Sequence, residues 1–99
     1  MEYAVNFKWG EIVPIVNSIQ NILNVPAVIT NDANAAAIGE MRFGSAQGMK
    51  NFVLITLGTG LGSGIVIDGK LLHGKHGLAG EMGHIIVRPD GRKCNCGNS

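Results

Sequence analysis

From Glu11 to Leu23 the apolar residues Ile12, Ile15, Val16, Ile19, Ile22 and Leu23 recur at steps of three and four. That spacing lines one face of a helix. Pro14 falls in the first turn, where a missing N–H costs little, and Pro26 blocks continuation. The apolar run Ala27-Val28-Ile29-Thr30 then reads as a short buried strand of the parallel type. A second helix is predicted from Ala33 to Phe43, entered through Asn31-Asp32 and closed by Gly44 as its C-terminal cap. The alanines Ala33, Ala35, Ala36 and Ala37 make that helix suited to close packing.

Past this point the period changes. Phe52 to Leu57 is a strongly apolar strand, a glycine-rich turn follows, and Ile65-Val66-Ile67 returns as a second strand. Asp68-Gly69 is a strong short hairpin signal. Leu71-Leu72 continues the meander, and His73 to Gly83 is a loop punctuated by glycine. Ile85-Ile86-Val87 reads as a further strand, closed by Pro89-Asp90-Gly91. Helix followed by strand before Gly44 to Gly48, and an antiparallel meander after it, predicts an α/β chain with a boundary near residue 45. No repeats or low-complexity tracts interrupt this order.

Composition narrows the class. The chain has 99 residues, 45% hydrophobic and 15% charged, which is globular and not disordered. Aromatic residues make up 5%, so the core must be mainly aliphatic, and a chain this short buries a modest share of its surface. A net charge of +1 with scattered basic residues offers no footprint for nucleic acid or an anionic membrane. No apolar run approaches the ~20 residues of a spanning helix, and Met1-Glu2-Tyr3 lacks the regions of a secretory signal, so a cytoplasmic location is expected. Cys94 and Cys96 lie two apart, a spacing that rarely reaches the ~5.5 Å Cα separation of a relaxed disulfide. A metal is the expected partner of the pair.

Three stretches carry candidate chemistry. Leu57-Gly58-Thr59-Gly60-Leu61-Gly62-Ser63-Gly64 sets four glycines at alternate positions, which lets backbone amides approach an anion. It matches neither the dinucleotide fingerprint nor the P-loop. Strand, glycine turn and return strand resembles the phosphate clasp of actin-like ATPases, while a plain hairpin turn explains the same glycines. Asp32 stands where a strand is expected to end and a helix to begin; there it can accept a proton or cap the helix. Gly77-Leu78-Ala79-Gly80-Glu81-Met82-Gly83-His84 brackets an acid and an imidazole with small residues, leaving room for a polyhydroxylated ligand or marking only a surface glutamate and a structural histidine. His84, Cys94 and Cys96 supply one nitrogen and two thiolates, a zinc-type set that needs a fourth ligand, for which His73 or His76 is a candidate.

Taken in order, Asn31-Asp32-Ala33-Asn34-Ala35-Ala36-Ala37, the Gly58–Gly64 loop, Gly77 to His84 and Cys94-x-Cys96-Gly97 resemble the ROK family of sugar kinases and sugar-responsive repressors across residues 31 to 97. The resemblance implies an actin-like ATPase (ribonuclease H-like) fold, with residues 1–45 ending the first lobe and 46–99 starting the second. It makes Asp32 the general base, Asn31, Asp32, Glu81 and His84 the sugar contacts, and Gly58, Thr59, Gly60 and Gly62 the cradle for ATP with Mg2+. His84, Cys94 and Cys96 become ligands of a structural Zn2+, with His84 joining metal to sugar.

The implied partners are ATP and a hexose such as glucose, in a homo-oligomeric parent. The family's third cysteine, a glutamate beyond it and an upstream Asp-x-Gly-x-Thr loop have no counterpart here, so an internal piece without turnover of its own is expected. A sugar-sensing repressor segment is the alternative. A free-standing zinc module, with Glu81 as base beside an open metal, is a third reading.

Overall fold

A computed structural model describes residues 14–98, and the chain divides into two compact units, one of residues 1–29 with 88–99, the other of residues 30–87. In the first unit, helix α1 spans Ile15–Leu23. The expected start at Glu11 lies outside the described residues. Pro14 stands at the N-cap, and its carbonyl accepts the Ser18 N–H at 3.1 Å and the Ser18 hydroxyl at 3.0 Å. Asn24 ends the helix in the left-handed region at φ 51°, donating its N–H to the Gln20 carbonyl, a stop that asparagine tolerates better than most residues. Ile22 and Leu23 are exposed, so the periodic stripe forms its helix without burying it here. The same unit holds a turn closed by Gly91 N–H on the Arg88 carbonyl, matching the expected Pro89-Asp90-Gly91 turn.

Residues 27–30 do not form the expected strand. Val28 is 95% exposed, and no ladder pairs the segment among the described residues. An apolar run becomes a strand only where a neighbour takes its backbone groups.

The second unit is built on helix α2, Asp32–Phe43, and a three-stranded antiparallel sheet. Its strands are β1 (Phe52–Leu57), β2 (Leu61–Ile67) and β3 (Lys70–Leu71), ordered β1-β2-β3. Register runs from Phe52 opposite Val66 to Leu57 opposite Leu61. The second hairpin turns through Asp68 at φ 52° and Gly69 at φ 74°, two positive angles that suit the right-handed twist of the strands it joins. Two bonds staple that turn to the start of β1: Gly69 N–H to the Lys50 carbonyl at 2.8 Å, and Asp68 N–H to Asn51 Oδ1 at 3.0 Å.

The core of this unit is small: Ala33, Ala37, Ala46 and Val66 are its buried apolar residues. At its far end α2 is closed by Gly44, whose N–H reaches the Glu40 carbonyl, while Glu40 Oε2 accepts the Ser45 N–H at 2.7 Å. Two expectations change here. The return strand begins at Leu61, four residues before the apolar triplet, because Gly62, Ser63 and Gly64 are themselves paired in the ladder. Ile85-Ile86-Val87 is not a strand: a single 3₁₀ turn, Met82–His84, precedes it, and Val87 is left 90% exposed without a ladder partner among the described residues.

Candidate functional site

Residues 61–64 of β2 receive two other parts of the second unit. The first is the opening of α2. Asn31 is its N-cap, and Asn31 Oδ1 accepts the N–H of Ala33 at 2.8 Å and of Asn34 at 3.3 Å. The capping role open to Asp32 therefore belongs to its neighbour, and the cap uses only the oxygen of the Asn31 amide. Asp32 occupies the first turn, exposed, with Oδ1 accepting the Ala33 N–H at 2.8 Å. There the carboxylate lies beside the unpaired N–H groups and the positive end of the helix dipole.

The helix comes this close to the sheet because both surfaces lack bulk. A Cβ at Gly64 would lie 2.7 Å from the Ala37 Cβ and 2.9 Å from the Ala33 carbonyl oxygen. One at Gly62 would lie 2.6 Å from Thr56 Oγ1 and 3.2 Å from the Ala33 Cβ. Of the four residues expected to cradle phosphates, Gly62 thus has a packing duty of its own. Gly58, Thr59 and Gly60 form the exposed tip of the first hairpin, closed by Gly58 N–H on the Gly60 carbonyl at 3.0 Å. Among the described residues, nothing lies within 4 Å of where a side chain would start at Gly58 or Gly60.

The second part is the segment 79–84. A Cβ at Gly80 would meet the Ser63 carbonyl oxygen at 2.9 Å, and one at Gly83 would overlap the Leu61 carbonyl. Ser63, itself buried, donates its hydroxyl to the Gly80 carbonyl and accepts the Met82 N–H at 3.4 Å. Glu81 and His84 are carried on this docked segment, with Glu81 Oε2 and His84 Nε2 3.5 Å apart. Both side chains are about half exposed, so together they offer water or a ligand an acceptor and an imidazole.

Cys94 and Cys96 belong to the other compact unit. They share one turn, in which the Cys94 N–H meets the Asn98 carbonyl at 2.7 Å and Gly97, at φ 100°, donates to the Cys94 carbonyl at 3.0 Å. Hydrogen bonds from the Cys96 backbone, then from its side chain, pull the Cys94 thiol below its ordinary value, with a smaller contribution from the Asn95 backbone. A thiol inclined to ionise suits a metal, which binds the thiolate. Among the described residues no three His, Cys, Asp or Glu side chains are gathered in one cluster.

Two residues were not singled out from the sequence. Ser63 hides inside a glycine alternation that reads as a turn; its one signal is that it is the only side chain between two glycines facing a helix of alanines. Asn34 is buried, and its Oδ1 has no hydrogen-bond partner among the described residues.

The chain belongs to the ROK family, whose model matches residues 2–99. Its α/β architecture is part of the actin-like ATPase fold of the ROK sugar kinases. It is similar to a glucokinase of Halalkalibacterium halodurans, 49% identical over 98% of this chain and 29% of that protein. It is also similar to the xylose repressor of Bacillus subtilis, 42% identical over 97% of this chain and 25% of that protein. Among solved structures, a ROK glucokinase from Streptomyces griseus in complex with glucose and AMPPNP superposes with a TM-score of 0.87 at 49% identity, covering 97% of this chain and 30% of that one. The chain thus spans less than a third of the length of these relatives.

Proposed function

We propose that these residues form part of an ATP-dependent hexose kinase of the glucokinase type, which transfers the γ-phosphate of ATP to a sugar hydroxyl. Asp32 carries the reading. It is an exposed carboxylate at the start of α2, oriented through its Oδ1 by the Ala33 N–H, on a helix seated against β2. In this reading Asp32 takes the proton of the attacking hydroxyl, and phosphoryl transfer depends on placing that hydroxyl in line with the γ-phosphate. The NH2 of Asn31, the carboxylate of Glu81 and the imidazole of His84 hold neighbouring hydroxyls of a hexose such as glucose.

The tip Gly58-Thr59-Gly60, with Gly62 behind it, faces the phosphates of ATP with Mg2+. The open space at Gly58 and Gly60 supports this, since no contact among the described residues requires glycine there. His84, Cys94 and Cys96 are assigned to a structural Zn2+. The paired thiols of one turn and the lowered Cys94 thiol fit that ion, which would supply a fixed geometry for its ligands and no step of the transfer. The reading carries with it a cytoplasmic homo-oligomer whose first lobe ends near residue 45 and whose second begins at 46.

The test uses the full coding-sequence product. Asp32→Asn is expected to lower glucose phosphorylation by about 10²-fold to 10⁴-fold, the usual worth of a general base, while glucose still binds by calorimetry. Turnover retained in that variant would sink the assignment. The 42% identity to a xylose repressor favours a second reading, a sugar-sensing repressor that keeps the same pocket. Sugar binding without ATP turnover, together with sugar-dependent release from operator DNA, would select it.

A further inference from the structure

Glu81 sits at the centre of a three-residue turn. Its φ of −77° and ψ of 50° are those of an inverse γ-turn, closed by Met82 N–H on the Gly80 carbonyl at 2.8 Å. Such a turn is weak alone, and Glu81 itself is exposed. What holds it is a side chain from another element. The Ser63 hydroxyl donates to the Gly80 carbonyl and accepts the Met82 N–H at 3.4 Å, so it bonds the peptide group on each side of Glu81. Ser63 is only 5% exposed and sits in the β2 ladder opposite Ile55, which leaves the hydroxyl little freedom to move. Gly80 completes the seat: at φ 84° and against the Ser63 carbonyl, it admits no side chain.

We propose that Ser63 is a positioning residue for the sugar site: its hydroxyl clamps the two peptide groups flanking Glu81 and so sets the direction in which the Glu81 carboxylate meets a sugar hydroxyl. The inference rests on the hexose-kinase reading above. It extends to His84, because the His84 N–H bonds the Glu81 carbonyl at 3.1 Å within the turn that follows. Loss of the hydroxyl leaves the Gly80 carbonyl its Met82 N–H, so no buried acceptor is orphaned. The cost therefore falls on the orientation of Glu81 more than on folding.

The experiment compares Ser63→Ala and Ser63→Cys with the wild-type full coding-sequence product. Alanine leaves the space of the hydroxyl empty and cysteine more than fills it, while both lose the strong donor and acceptor, which separates the bond from the packing. Both variants are expected to raise the glucose KM and the calorimetric glucose Kd about tenfold, with kcat and the ATP KM within about twofold, the pattern of lost ground-state binding. A glucose KM unchanged in both variants overturns the proposal. So does restoration by cysteine, an equal rise in the ATP KM, or failure of both variants to fold, each of which assigns Ser63 to packing. A wild-type protein that neither binds nor phosphorylates glucose overturns the kinase reading and this inference with it, whereas normal wild-type activity with silent variants overturns this inference alone.

Discussion

The tip of the first hairpin and the flank of β2 share one glycine alternation, yet the structure uses the two halves differently. At Gly58 and Gly60 a methyl group would meet nothing within 4 Å among the described residues. At Gly62 and Gly64 it would press into Thr56, Ala33 and Ala37, and across the sheet the same crowding recurs where Gly80 and Gly83 lie against Ser63 and Leu61. One set of glycines lets backbone meet backbone inside the protein. The other keeps backbone open to whatever approaches from outside, which is what the phosphate-facing role proposed for the hairpin tip requires.

The contrast can be broken most forcefully at Gly83. A methyl there collides with the Leu61 carbonyl, which is fixed in the β1–β2 ladder, so Gly83→Ala is expected to cost about 3 kcal/mol or more in urea denaturation. Near-wild-type stability would mean that segment 79–84 is not docked as described. Gly64→Ala should cost about 1–3 kcal/mol, because Ala37 and the Ala33 carbonyl oppose the new methyl and α2 must shift to admit it. The smallest stability effect belongs to the tip: Gly60→Ala should change unfolding free energy by less than about 0.5 kcal/mol. If the tip faces ATP, the same substitution raises the ATP KM several-fold while the glucose KM stays put, and parallel changes in both constants would assign Gly60 to folding instead.

Local chemistry made much of the fold legible. The 3.6-residue period found α1 from Ile15 onward, and Asn31-Asp32 with Gly44 bracketed α2 because caps answer to residue type within a turn. Asp68-Gly69 placed the second hairpin because only small or flexible residues accept two positive φ angles in succession. Phe52 to Leu57 appeared as a strand with its bounds intact. Errors came where pairing decides. Ala27 to Thr30 and Ile85 to Val87 are apolar enough for strands and form none, since hydropathy does not supply a partner for their backbone groups.

The converse error concerns Gly62 to Gly64, which pair in β2 although glycine is unfavourable in strands. Their reason is the helix lying over them. In the candidate site, the motifs single out Asp32, Glu81 and His84 as candidates only, whereas Asn31's role as the cap and Ser63's bonds around Glu81 emerge from the fold.

Where the chain turns, which residues can cap or accept a proton and, through the order of the motifs, the ROK family were all legible in the residues alone. These depend on residue type over a few positions. Which glycines are consumed by packing and which stay open, and that a serine 18 positions before Glu81 in the chain grips the peptides on either side of it, became visible in the fold. Such contacts join segments far apart in sequence, and their strength comes from a close approach that residue order does not encode.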